Sequence, residues 1–375
     1  MKPIVIVDAN ALHGLKAFSK PDVKTVLTLA KTNLARVIVP EVVVHELSRQ
    51  GAKEFNDRYS SLRNAVKGFN DTIGDVQTIG LPVAPTEAKG DGPSPMNRAA
   101  FFDAMIAFLH NHNVETPSYP DLAVADLLAR DLDYRKPFTD GGKGFRDALI
   151  WETIRKLCNA LTSPDTPVVF ATKNYTDFCT GKGKSLHSQL RGEIDQNQPF
   201  DVVEDLAGLL AHIEIKPLAD SLRVFDQTFT AKRLEGLVDD ALAALDGQEL
   251  ERTIGVYEGD GYTAIPVDTA LSDTAFDGIV PENDTITHEV FRTGDEDEMT
   301  IRVTVDAECS IEGFIDKTDY YAHGTDSYSY SEDWNFHVMR ASETCRMRFI
   351  LSGDFTDATI DTVKLTVDEA EELVS

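Results

Sequence analysis

Cysteine is scarce and unpatterned. The four thiols, Cys158, Cys179, Cys309 and Cys345, form no CxxC pair and no zinc-type spacing. That excludes a zinc ribbon and a disulfide-stapled scaffold, and leaves reduced thiols without a structural task. No apolar run approaches the roughly 20 residues of a membrane helix. No basic stretch with a cleavable apolar segment precedes the strand-like opening PIVIVD, so a non-secreted, cytoplasmic protein is expected. Repeats are absent, and the one biased run is DEDE at 295–298. Basic residues are depleted in one part of the chain alone. Residues 1–235 hold 28 Lys+Arg against 30 Asp+Glu, whereas residues 236–375 hold 8 against 33. Of the net charge of −27, only −2 lies in front and −25 lies behind. A polyanion argues against a nucleic-acid partner, but here the objection reaches only the back segment. The step in charge also marks a domain boundary.

What is present points to two domains. With 375 residues, 42% of them hydrophobic and 26% charged, the chain can bury a sizeable core. Four short apolar runs, at 3–8, 36–40, 167–172 and 201–206, alternate with segments of helical spacing. This predicts a parallel α/β sheet covered by helices on both faces. Pro40 suits a helix opening and Gly51 its end. Residues 23–32, 52–80, 96–113, 120–132 and 146–161 read as further helices, with a Pro/Gly loop at 81–95. The last of these helices carries an apolar stripe at Ala148, Ile150, Trp151, Ile154 and Leu157. Beyond about residue 250 the period becomes two, as in Met299, Ile301, Val303 and Val305, or Met347, Phe349 and Leu351. That pattern predicts a half-exposed, mainly-β domain. The expected organisation is an α/β domain over 1–229 with a helical insertion at about 52–135, a helical connector over 230–250, and an acidic β-rich domain over 251–375.

Four acids stand where strands hand over to helices: Asp8 in IVIVDANAL, Glu46 in VVVHEL, Asp147 in GFRDALIW and Asp177 in TKNYTDF. Ligands of open α/β sheets bind outside the carboxyl ends of the strands, so all four can face one crevice. Gathered there they repel one another unless a hard divalent cation, Mg²⁺ or Mn²⁺, sits among them. Such a cation activates water and clamps a phosphate, which points to phosphodiester hydrolysis. Each acid also has a plainer explanation. Asp8 and Asp177 suit turns or caps, and Asp147 suits a first helical turn. Glu41 competes with Glu46 for the crevice. Lys143, Arg146, Lys173, Lys182 and Lys184 cluster around the acids and suit phosphate-backbone contacts, although loop cations are usually solvated surface. Glycines at 141, 142, 144, 181 and 183 would admit phosphates to backbone N–H groups. His13, His45 and His187 are read as packing or surface residues, and Phe145, Trp151 and Phe178 as core.

The combination DAN, VVxxEL, RDALIW and TxNxxDF resembles the PIN-domain nucleases, specifically a branch with a long helical insertion, over about residues 3–215. The resemblance implies a PIN-like parallel sheet and a metal-dependent endoribonuclease, toxin-like or defence-related. Its metal ligands and catalytic acids fall on Asp8, Glu46, Asp147 and Asp177. Family members often carry Asp where this chain has Asn174, which removes one negative charge from a second metal position. Asn10, Thr172 and Asn174 would orient the acids, though Thr172 equally suits an ordinary strand end. A structure-specific DNA nuclease and a catalytically silent nucleic-acid- or protein-binding scaffold remain as alternatives. RNA is the expected substrate, a homodimer is an expectation by analogy, and the acidic domain is expected to engage a regulatory protein or the basic rim of its own chain.

Overall fold

The computed structural model describes residues 2–12, 18–78, 97–139, 143–180, 185–248, 250, 256–258, 261–263, 267–293, 298–324 and 328–373. The Pro/Gly loop at 81–95, His13, Lys182, Lys184, most of the DEDE run and all the candidate phosphate-loop glycines except Gly144 lie outside these residues. Two compact units divide between Asp220 and Ser221, where the sequence pattern placed the boundary at 229. Among the described residues no helix is long and apolar enough to cross a membrane.

The first unit is built on four parallel strands, β1 (Ile4–Val7), β2 (Arg36–Ile38), β3 (Val168–Ala171) and β4 (Phe200–Val203), in the order β2-β1-β3-β4. All four residues of β1 and all four of β3 are buried. That is why these strands read as continuous apolar runs rather than alternating ones. Each such Val or Ile contributes roughly 1.5–3 kcal/mol of burial.

The helices of this unit are α1 (Pro21–Lys31), α2 (Glu41–Thr78), α3 (Arg98–His110), α4 (Val124–Leu132), α5 (Phe145–Asn159), α6 (Tyr175–Phe178), α7 (Ser188–Arg191) and α8 (Leu206–Leu210), and α9 (Lys216–Thr228) spans the division between the units. α2 does not stop at Gly51 but runs on to Thr78. Gly51 is buried within it and does not take the left-handed conformation by which a glycine ends a helix. The run at 201–206 is likewise only half strand. After Val203 the Asp205 side chain accepts the Gly208 N–H at 2.8 Å and opens α8.

On α5 the buried face holds Ala148, Ile150, Trp151, Ile154 and Cys158, and also Glu152. Glu152 meets a buried partner, Arg130 of α4, at 2.9 Å. The same guanidinium donates to Glu193 at 2.8 Å and to the Lys136 carbonyl at 2.8 Å. Arg135 and the Trp151 indole N–H also donate to Glu193. This network ties α4, α5 and the segment after α7 together. Arg191 donates to the carbonyls of Gln196 and Gln198.

The second unit opens with α10 (Ala231–Ala243) and the short pair β5 (Val256–Glu258) and β6 (Gly261–Thr263). Its main sheet is antiparallel: β7 (Ser272–Pro281), β8 (Thr287–Arg292), β9 (Met299–Asp316), β10 (Tyr330–Asp333), β11 (Val338–Phe355) and β12 (Thr366–Glu372). β9 and β11 pair along their full lengths, from Val338↔Asp316 to Phe355↔Met299. Alternate residues of β9 from Ile301 to Ile311 are buried, as the period of two predicts. Cys309 lies directly opposite Cys345, and both are free thiols. α10 buries Leu234, Val238, Ala241 and Leu242 and packs on β7 and β12. α11 (Lys317–His323) carries Tyr320 into a small core with Leu271, Ile315, Met339 and Ala341.

Candidate active site

The strand order makes a crevice between β1 and β3, where the connections leave in opposite directions. Asp8 follows β1 there, and its N–H donates to the Ala171 carbonyl of β3 at 3.0 Å. Thr172 follows β3 and is anchored by its own N–H to the Val203 carbonyl at 2.9 Å. Both side chains are buried, Asp8 at 2% exposure and Thr172 at 0%.

A chain of hydrogen bonds runs across this edge. The Thr172 hydroxyl donates to Asp8 Oδ2 at 2.7 Å and accepts the Asn174 N–H at 3.0 Å. Asn174 Nδ2 then donates to Asp147 Oδ1 at 2.9 Å. Asn10 Nδ2 approaches Asp8 Oδ2 at 3.4 Å. The three residues expected to orient the acids thus bond to them or to each other. Asp147 does not cap its helix: the N-cap of α5 is Gly144, and the Asp147 carboxylate is turned to Asn174.

The acids feel one another. Burial raises the Asp8 carboxyl above its ordinary value and Glu46 adds to the rise, against the bonds from Thr172, the Ala9 amide and Asn10. Burial pushes Asp147 up to about 6, opposed by the Asn174 bond and Arg146, while Asp177 and Asp8 push further in the same direction. Asp177, on α6, shares with Asp147 a cleft of about 570 Å³. Glu46 on α2 forms an ion pair with Arg146 and accepts from Gln50 at 3.1 Å. Glu41 faces elsewhere, pairing with His45 at 3.4 Å, so of the two glutamates only Glu46 acts on Asp8. His45 itself stacks between Phe102 and Tyr119.

The cations divide between two roles. Lys143 and Arg146 line the cleft, and Lys173 is exposed immediately after Thr172. Arg146 is engaged with Glu46, so it holds an acid of the crevice in addition to facing the cleft. Trp151 and Phe178 are fully buried, whereas Phe145, expected in the core, is 54% exposed on the cleft wall. Lys136 was not singled out by sequence. Its Nζ donates to the Thr176 carbonyl at 2.6 Å and pins the start of α6.

The donors here are carboxylate, hydroxyl and amide oxygens, the chemistry of a hard divalent cation. Among the described residues no three His, Cys, Asp or Glu side chains are gathered tightly enough to hold an ion. Burial, with a smaller contribution from neighbouring acids, raises the carboxyls of Asp8 and Asp147. The donor set fits such an ion in the kind of its atoms.

No curated protein and no solved structure matches the chain. A family model described as PIN domain matches residues 5–178, a span that contains all four acids, and the second unit has no family match. Over that span, within its first unit, the chain is similar to PIN domains.

Proposed function

We propose that the first unit is a metal-dependent endonuclease that hydrolyses phosphodiester bonds in RNA. The observation that carries this is the bonded series Asp147–Asn174–Thr172–Asp8 across the switch point of the sheet. It couples acids from two distant segments at the place where such folds bind ligands. Asp8, Asp147 and Asp177 would hold Mg²⁺ or Mn²⁺, with Glu46 as a fourth acid once Arg146 turns to the phosphate. The bound ion supplies positive charge for the phosphate oxygens and lowers the pKa of water. Thr172 and Asn174 fix the carboxylate oxygens of Asp8 and Asp147, which keeps the acids from reorienting as charge develops. Lys143 and Lys173 neutralise the strand's phosphates on either side of the scissile bond.

The test uses labelled RNA and labelled DNA, each with Mg²⁺ and with Mn²⁺, for the parent and for Asp8→Asn. Cleavage of RNA by the parent alone is expected. Preferential cleavage of DNA would replace the substrate, and equal cleavage by both proteins would remove this site from the reaction. A binding scaffold is the second reading. It is favoured by the Arg146–Glu46 pair and by the Asn174 bond to Asp147, both of which offset acid charge without an ion. RNA binding with no cleavage under any cation would select it. For the acidic second unit we propose a regulatory docking role toward a basic partner. Unchanged cleavage and salt dependence on deleting residues 236–375 would withdraw it.

A further inference from the structure

Phe145 is the first residue of α5, a helix whose other aromatic, Trp151, is fully buried. It nevertheless leaves 54% of its surface to solvent. The exposed ring lies on the wall of the 570 Å³ cleft that Asp147 and Asp177 share, between Lys143 and Arg146 in the chain.

Its position is not the product of a slack loop. Gly144, the N-cap of α5, sits at φ +113° against the preceding strand of chain, where an added Cβ would meet the Pro137 carbonyl oxygen at 2.7 Å and Phe138 Cα at 3.0 Å. The Thr139 N–H donates to the Lys143 carbonyl at 3.1 Å, and the Ala148 N–H donates to the Gly144 carbonyl at 2.7 Å. Phe138 is buried beneath. The backbone that carries Phe145 is thus clamped from both sides while its ring faces water. An apolar ring left in water on a fixed support forgoes its burial energy, and a flat π-face beside phosphate-neutralising cations is the arrangement on which unpaired bases stack.

We propose that Phe145 is the stacking platform for a base next to the scissile phosphate. The proposal rests on the nuclease function above and adds a residue that holds the base. In a duplex both faces of each base are occupied by neighbouring bases, so no face is offered to the ring. In a single strand the base can turn onto Phe145 while its phosphate stays between Lys143 and the acids. Stacking is tolerant of sequence because every base has a π-face.

Binding is measured first, apart from chemistry. Fluorescein-labelled U12 and dT12, together with a 12-base-pair RNA duplex, are titrated in EDTA by anisotropy with the full-length protein. Phe145→Leu, which keeps apolarity but loses the π-face, and Phe145→Ala are expected to weaken U12 and dT12 binding by about 5- to 100-fold. Duplex binding is expected to change less than twofold. Phe145→Trp is expected to restore the single strands to the parent's affinity or better, a rescue that a purely structural role would not give. Equal affinity of parent and Phe145→Leu for U12 overturns the platform, as does an equal loss on duplex. The nuclease function is judged separately, by cleavage with Mn²⁺ in the parent and in Asp8→Asn. Should neither protein cleave while Phe145→Leu still loses U12, the platform stands and the nuclease function falls.

Discussion

Replacing Arg130 by methionine will destabilise the first unit by about 3–5 kcal/mol at pH 7, the cost of leaving a buried charge unpaired. The side chain is 6% exposed and so is Glu152, its partner at 2.9 Å. Arg130 also serves Glu193 and the Lys136 carbonyl. Methionine fills much of the volume but satisfies none of these acceptors. Arg155 still reaches Glu152 at 2.6 Å, and Arg135 and Trp151 still reach Glu193, which places the loss toward the lower end of the range. Of the two tryptophans, Trp151 donates to Glu193 at 2.7 Å, whereas Trp334 of the second unit is 59% exposed. Urea unfolding in a Trp334→Phe background therefore reports the first unit by the fluorescence of Trp151. With slopes of about 1–3 kcal/mol per molar urea, the midpoint should fall by about 1 M or more.

The loss must also depend on pH in a set direction. Burial alone would raise the Glu193 carboxyl, but bonds from Arg130, Trp151 and Arg135 and the Arg130 charge outweigh it and hold the group below its ordinary 4.5. A depressed carboxyl stabilises the fold above its unfolded pKa and ceases to do so as pH falls through the folded value. In Arg130→Met the largest of the opposing influences is gone, so protonating Glu193 relieves the variant while it weakens the parent. The gap between them should narrow from pH 7 toward about 4. A loss under about 1 kcal/mol at pH 7, or a gap that widens with acid, would refute the account of the network.

Thr172→Val removes the hydroxyl that donates to Asp8 and accepts from Asn174; cleavage should fall about 10- to 100-fold with an unchanged far-UV spectrum, and parental activity would show that the hydroxyl does no positioning. Gly144→Ala forces a side chain into the φ +113° backbone and against Pro137, so urea unfolding should show a loss of about 1–3 kcal/mol, and a neutral result would mean the loop gives way. Adding Mn²⁺ at about 100 times its dissociation constant should stabilise the parent by about 2.7 kcal/mol, with EDTA reversing the gain. The same gain in Asp8→Asn and Asp147→Asn would place the ion elsewhere.

Regular elements were legible in proportion to how far one face of each was buried. β1 and β3 announce themselves because every residue is enclosed, and β9 and β11 because alternate residues are. Gly51 misled because a helix end needs a left-handed residue as well as a glycine, and only coordinates show the backbone angle. The acids were legible as strand-end residues, and Asn10, Thr172 and Asn174 as residues that would orient them, but which partner meets which acid was not. That Glu46 is held by Arg146, and Asp147 by Asn174, depends on rotamers no spacing encodes. Arg130 and Glu152 were not singled out, because pairing across 22 positions leaves no periodic mark. Phe145 failed for a related reason: an aromatic is assigned to the core by hydrophobicity, and its exposure is set by the glycine before it.

Two strands of the second unit's sheet, β10 and β12, are rich in acids. Among the described residues β10 pairs only with β11, and β12 only with β11. β10 carries Glu332 and Asp333, and β12 carries Asp368, Glu369, Glu371 and Glu372. An unpaired strand edge is a template for a second copy of itself, and like charges along it make that self-pairing costly. The carboxylates on these two strands thus guard them against self-pairing. The guard is made of carboxylates, so it dissolves as pH drops toward about 4, and the chain should begin to associate through these edges there.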